Sequence, residues 1–225
     1  YYQQKDFQNA ISQFNKIIEG KDFVAQNGYY HLGQSYLSLN KKQEALNAFK
    51  NASDMDFDAS LKEESSLNYV KLSYEIGNSY ESVPAILTAF LEQYPKNSHQ
   101  SEIEKLLIDS YLSSKNYTEA LNYYNKAMSV KSPSNGDIYN GLMHYKKAVV
   151  YALMENESSM YRSLKAAKKS DSFKDRAVYK KFQQEKAFKK HRTAKKMKRF
   201  TSSVTKIKKE HLFLQSELRW FRMRD

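Results

Sequence analysis

Tyr29-x-x-Leu32-Gly33-x-x-Tyr36, followed by Ala45-x-x-x-Phe49-x-x-Ala52, is the stretch that decides the fold. In each half the apolar positions recur at intervals of three and four, the period of an α-helix with one buried face. Asn40-Lys41 interrupts the pattern between the halves, so the stretch reads as two amphipathic helices joined by a tight turn. A single such pair buries too little apolar surface to be stable. It needs neighbours of its own kind.

Those neighbours are in the sequence. With Ala10, Ala45, Val83, Ala120 and Met160 as anchors, the residues nine positions earlier are Tyr1, Tyr36, Tyr74, Tyr111 and Tyr151. Four positions later stand Phe14, Phe49, Leu87, Tyr124 and Leu164, and three beyond those Ile17, Ala52, Phe90, Ala127 and Ala167. The anchors are 35, 38, 37 and 40 residues apart, and the variation falls where loops tolerate insertion. Breaks within pairs fall at Asn40-Lys41, Gly77-Asn78, Lys115-Asn116 and Glu155-Asn156, and breaks between pairs around Asp56, Pro95, Pro133 and Ser172. Ser60-x-x-Glu63 and Ser101-x-x-Glu104 are expected to cap helix starts. No stretch reads as a strand.

This pattern resembles the tetratricopeptide repeat, whose first helix carries an aromatic, Leu-Gly and Tyr, and whose second carries Ala and Phe with Pro at the exit. The clearest copy is the opening stretch; a second is Leu107-Ile108-x-x-Tyr111 with Tyr117-Thr118-Glu119-Ala120-x-x-x-Tyr124-x-x-Ala127. The resemblance implies an all-α, right-handed superhelical solenoid of stacked antiparallel helix pairs over 1–172. It divides into a partial repeat 1–20 and repeats at about 26–58, 64–97, 101–133 and 141–173, with a basic helical segment 173–225 closing the stack. Tyr1 falls midway through a first helix, so further solenoid is expected before it. Lys71 and Ile108 replace Gly33, and Val83 and Met160 replace Ala45; these larger side chains are expected to spread or tilt their helix pairs. Phe90-Leu91-Glu92-Gln93-Tyr94-Pro95 is similar to the exits of bacterial envelope-associated members of the family, which implies a periplasmic location.

The chain has 225 residues, 37 Lys plus Arg against 25 Asp plus Glu, and no cysteine. The cysteine count excludes disulfides, thiol nucleophiles and cysteine-ligated metals. The net charge of +12 is unevenly placed: residues 1–170 hold 19 basic and 19 acidic side chains, and residues 171–225 hold 18 and 6. Asp54-x-Asp56-x-Asp58 opens like a calcium loop, but Ala59 and Ser65 stand where that loop needs Gly and Glu. His31, His99, His144, His191 and His211 lack metal-ligand spacing, and no phosphate loop or nucleophile elbow is present. The reading is a non-enzymatic scaffold with no catalytic residue, no metal and no cofactor.

By the resemblance, a protein or peptide partner lies in a concave groove lined by Asn27, Tyr30, Gln34, Asn68, Leu72, Glu75, Glu102, Lys105, Asp109, Tyr145 and Val149. These mix amides, aromatics and a slight acidic excess, suited to a peptide or helix. Tyr30 and Gln34 occupy two of the places where chaperone-binding members of the family hold a carboxylate with Lys and Asn, so that activity is not implied.

The repeat offsets stop near residue 173. Met197, Phe200, Val204, Ile207, His211, Leu214, Leu218 and Phe221 then follow a heptad stripe, flanked by Lys195, Lys196, Lys198, Arg199, Lys206, Lys208, Lys209, Arg219, Arg222 and Arg224, with Lys189, Lys190 and Arg192 of the same basic tail just before it. Three readings compete: a helix capping the solenoid, attachment to nucleic acid or anionic lipid, and a ligand helix for the groove of its own or another molecule. Self-association through stripe 197–221 belongs with the last. Capping is preferred, because the stripe is as apolar as a core helix. The basic cluster also resembles a nuclear-import signal, and a shifted reading frame would produce the same break in register.

Overall fold

The carboxylate of Asp22 accepts the Ala25 N–H at 2.8 Å and starts the first long helix of the chain. In this computed structural model, which describes residues 6–129 and 136–222 without the side chains of 136–139 and 213–222, the chain divides into two compact units, Tyr1–Ser114 and Lys115–Asp225. The first holds α1 (Phe7–Phe14), α2 (Phe23–Ser38), α3 (Lys42–Ser53), α4 (Ala59–Ile76), α5 (Val83–Gln93) and α6 (Gln100–Ser113). The second holds α7 (Tyr117–Ser129), α8 (Gly136–Leu153), α9 (Glu157–Lys169), α10 (Arg176–Gln184) and α11 (Lys195–Arg222), with 3-10 turns at Ser172–Lys174 and Lys186–His191. No strand occurs among the described residues. Helices adjacent in sequence pack together within each unit, giving the all-α solenoid architecture that the periodicity implies.

The four breaks expected within pairs each contain one residue with left-handed backbone: Asn40 (φ 57°), Gly77 (69°), Lys115 (58°) and Glu155 (58°). Only one is glycine, although that conformation costs a residue with a Cβ about 1 kcal/mol. The turn geometry is therefore imposed by the packing of the flanking helices. The three aspartates of the calcium-like run are all engaged by their own surroundings. Asp54 pairs with Lys50 at 2.8 Å, Asp56 pairs with Lys62, and Asp58 caps α4 by accepting the Ser60 and Leu61 N–H groups. The cap is thus Asp58, and Ser60 lies inside the helix. Glu63 instead accepts from Asn97 Nδ2 at 2.6 Å. Ser101 likewise lies within α6, whose N-cap position is His99.

Repeat positions fill the core. Ala45, Phe49 and Ala52 are fully buried, as are Leu87, Ala120, Met160, Leu164 and Ala167. The expected spreading holds in one place and fails in another. Val83 is only half-buried, and α4 and α5 pack more loosely than α2 and α3. Met160, in contrast, is fully buried in an α8–α9 pair that packs as extensively as α2 and α3. Ala148, fully buried at the place equivalent to Gly33, supplies the missing space. One small residue per crossing is enough. The α4–α5 pair has Lys71 and Val83 and therefore none.

Gln26 has no counterpart in the sequence reading. It is completely buried, its Nε2 lying 3.2, 3.0 and 3.1 Å from the carbonyl oxygens of Ala52, Met55 and Asp58, while its Oε1 accepts the Asp58 N–H at 2.7 Å. One amide thereby satisfies the backbone of the α3–α4 connection, whose polar groups would otherwise be buried without partners. Gln26→Leu keeps the bulk and removes every bond. Leaving a buried N–H and carbonyls unpaired costs about 2 kcal/mol, read as a lower urea midpoint for the full chain. A loss below about 0.5 kcal/mol would mean that water replaces the amide.

In the second unit one core continues from α8 and α9 into the C-terminal segment. Tyr145, Ala148, Met160, Tyr161 and Leu164 share it with Phe173, Val178, Tyr179, Phe182, Phe188, Met197, Phe200 and Val204. The stripe positions Met197, Phe200 and Val204 face inward, Ile207 and His211 are half-buried, and the side chains of Leu214, Leu218 and Phe221 lie outside the described residues. The basic segment closes the helix stack as a cap.

Candidate protein-binding face

Helices α2, α4 and α6 are the first members of the repeats in the N-terminal unit, and they lie side by side. Side chains about 30 residues apart join them. Tyr30 Oη donates to Glu64, Gln34 Nε2 donates to Tyr30 Oη at 2.6 Å, and His31 Nδ1 lies 3.2 Å from Gln34 Oε1. Lys71 Nζ and His99 Nδ1 both lie 2.8 Å from Glu102 Oε2. The lysine first and the histidine second hold that carboxyl below the usual carboxylate range. Lys71, which replaces the repeat glycine, thus turns its ammonium to the next first helix.

Of the residues expected on the groove, Asn27, Gln34, Asn68 and Asp109 are half-buried, and Glu75, Glu102 and Lys105 are exposed. Asn68 Nδ2 donates to the Glu64 carbonyl oxygen at 2.9 Å, and Glu75 pairs with Lys42 of α3. Tyr30 and Leu72, by contrast, are buried at 6% and 4% exposure, so they are core residues with only an edge at the surface. The Tyr30 ring meets Phe49 edge-on at 6.0 Å. Tyr145 is also buried, in the second unit, its ring 6.1 Å from Phe173 and 6.3 Å from Phe188. Burial pushes its phenol well above the ordinary tyrosine range. The C-terminal segment covers this position, and Val149 packs against the same core. Open groove surface at Tyr145 is therefore corrected to cap contact.

Residues 27–58 and 109–133 match the tetratricopeptide repeat. The first segment is α2 from Asn27, all of α3 and the loop that Gln26 secures; the second contains the end of α6 and the whole of α7. These two segments are tetratricopeptide repeats. No curated protein matches the chain. Tetratricopeptide repeats generally act as protein-interaction scaffolds, and their usual partners are proteins.

The cations in the basic end of the chain fall into two groups, those that hold the segment together and those that face outward. Arg192 donates to the carbonyl oxygens of Phe182 and Glu185 at 3.0 and 3.1 Å, closing the C-terminus of α10. Lys196 Nζ lies 4.1 Å from the centre of the Tyr161 ring and Lys208 Nζ 4.1 Å from that of Tyr179, each a cation held over an aromatic face. Lys190 pairs with Glu155, whose carboxyl the ammonium holds low. Lys189, Lys195, Lys198, Arg199, Lys206 and Lys209 are exposed. Phe173, Val178, Tyr179, Phe182 and Phe188 were not expected in the core, because their spacing crosses two 3-10 turns. Their aromatic density is the signal that could have revealed them.

Among the described residues no group of three or more His, Asp or Glu could hold a metal ion. Among them, too, no helix is long and apolar enough to cross a membrane.

Proposed function

We propose that this protein is a non-enzymatic scaffold whose N-terminal unit binds a peptide or helix of a protein partner on the face formed by α2, α4 and α6. The observation that carries the reading is the mixed surface of three adjacent first helices. Asn27, Gln34 and Asn68 offer amides, Glu75, Glu102, Lys105 and Asp109 offer charge, and the edges of Tyr30 and Leu72 lie among them. Amides pair with an extended or helical backbone, and carboxylates favour basic side chains on the partner. The cross-links from Tyr30 to Glu64 and from Lys71 to Glu102 support the face as a preformed surface, which lowers the ordering cost of binding.

The test places a photo-crosslinking side chain at Asn27, Asn68 or Lys105, and separately at the exposed positions Asn47 and Lys126 on second helices. The same partner should be captured from the first three positions and not from the last two. Glu75→Lys with Asp109→Lys should reduce capture at least tenfold. Equal capture from both sets of positions would exclude this face.

A further inference from the structure

We propose that the outer face of α11 is a binding site for double-stranded nucleic acid, contacted through its phosphates and without sequence preference. With about 3.6 residues per turn, Met197, Phe200 and Val204 point to the cap core, and Lys195, Lys198, Arg199, Ser202, Lys206 and Lys209 fall on the opposite side, every one of them exposed. The five cations span about 21 Å along a single helix, at roughly 1.5 Å per residue. Lys195, Lys198, Arg199 and Lys209 have no ion-pair partner among the described residues, and Lys206 has only Glu210 at 3.9 Å. The sequence adds to the field: residues 186–209 contain 11 Lys plus Arg and no Asp or Glu.

Capping would not require this arrangement. The cap uses Arg192, Lys196 and Lys208 on carbonyls and aromatic faces. The remaining cations repel one another along a rod. Such a rod costs stability unless it meets a regular row of negative charge.

The choice of occupant follows from what shares that face. Surface attachment to a bilayer needs an apolar helix side in the headgroup layer, but behind these cations the apolar side of α11, at Met197, Phe200 and Val204, is already occupied by the core. An acidic protein would need aromatic or aliphatic anchors, which supply most interface energy, and none stands between Lys195 and Lys209 on the outer side. Single-stranded nucleic acid is held by aromatic platforms, also absent there among the described residues. A duplex backbone needs only periodic cations, and Ser202 can donate to a phosphate oxygen.

The experiment measures binding of the full chain to a labelled 25-base-pair duplex of mixed sequence by fluorescence anisotropy across a salt series. With five phosphates neutralised, the log–log slope should be near −4.5, so affinity falls roughly 500-fold between 50 and 200 mM salt. The variant K198E/R199E/K206E/K209E, all at exposed positions, should melt like the parent and bind at least 100-fold more weakly. A control that reverses four exposed lysines elsewhere, K16E/K41E/K115E/K126E, should lose less than tenfold. Duplexes of unrelated sequence should bind equally. Any of the following would overturn the proposal: no duplex binding at 50 mM salt, a slope shallower than about −2, equal losses in the two variants, or retention by anionic vesicles with none on the duplex.

Discussion

Phe182→Ala is expected to detach the C-terminal segment from α8 and α9 and to cost the second unit about 4 kcal/mol. Phe182 is fully buried, and its ring lies 5.3 Å from that of Phe173, 5.7 Å from Phe188 and 5.7 Å from Phe200. These three neighbours come from the 3-10 turn Ser172–Lys174, the 3-10 turn Lys186–His191 and α11. One side chain therefore joins two short 3-10 turns to α11. Truncating a buried Phe loses the transfer free energy and leaves a cavity, and the edge-to-face ring pairs are lost in addition. Hydrogen exchange should rise across α10 and α11 and in α8 and α9, while α2 and α3 keep their protection. Phe182→Leu fills most of the space and should cost about 1.5 kcal/mol or less. A small loss for the alanine variant, with unchanged exchange in α11, would show that the segment is an appendage and not part of the core.

The same variant bears on the charge of the chain. Arg192 binds the Phe182 and Glu185 carbonyl oxygens, and Lys196 and Lys208 rest on Tyr161 and Tyr179. Lys196 keeps its partner on α9 only while the segment is docked, whereas Arg192 and Lys208 hold the segment's own elements together. The exposed stripe from Lys195 to Lys209 keeps its rigid spacing for the same reason. A net charge of +12 thus has two components: cations that hold the cap together, and cations that the cap displays.

What could be read from the sequence follows the physics of repetition. Ala45, Phe49, Ala52 and their counterparts repeat because each packs the same crossing, so the pattern located the pairs and all four turns between their members. The two copies nearest to consensus, around Gly33 and Ala120, are the two segments that match the tetratricopeptide repeat. Features that occur once were not legible. Gln26 acts on a loop 26 to 32 residues away, and a lone amide in an apolar face carries no period. Ser60 and Ser101 fitted a capping pattern, but Asp58 and His99 hold the cap positions, because helix ends shift by a residue or two without disturbing the buried face. On the candidate face, Tyr30 and Leu72 were placed by analogy at the surface, although a large side chain there can turn inward; both are core residues. At Tyr145 the covering residues, Phe173 and Phe188, belong to a segment with no repeat register at all.

Gly33→Leu is expected to cost about 3 kcal/mol or more, by forcing α2 away from α3. A Cβ built on Gly33 would lie 2.8 Å from Cε1 and Cζ of Phe49 and 2.9 Å from its Cδ1, well inside van der Waals contact. Phe49 is fully buried and meets Tyr30 edge-on, so its ring cannot retreat. Alanine at this position involves two opposed effects of similar size. Removing a mid-helix glycine gains up to about 1 kcal/mol, while the overlap costs about 1 to 3 kcal/mol. The clash should win, for a net loss near 1 kcal/mol. The pair separates cleanly in a double-mutant cycle. On a Phe49→Leu background the ring atoms that block the Cβ are gone, so Gly33→Ala should change from destabilising to neutral or stabilising, a coupling of about 1 kcal/mol or more. Gly28 provides a comparison: its nearest atoms, 3.0 to 3.2 Å away, are the side-chain ends of Ile18 and of the exposed Ile17, which can move. Gly28→Ala should therefore be tolerated. If the urea midpoints of Gly33→Ala and Gly28→Ala fell together, or if the Phe49→Leu background left the Gly33 effect unchanged, the approach of α2 to α3 would not depend on the missing side chain.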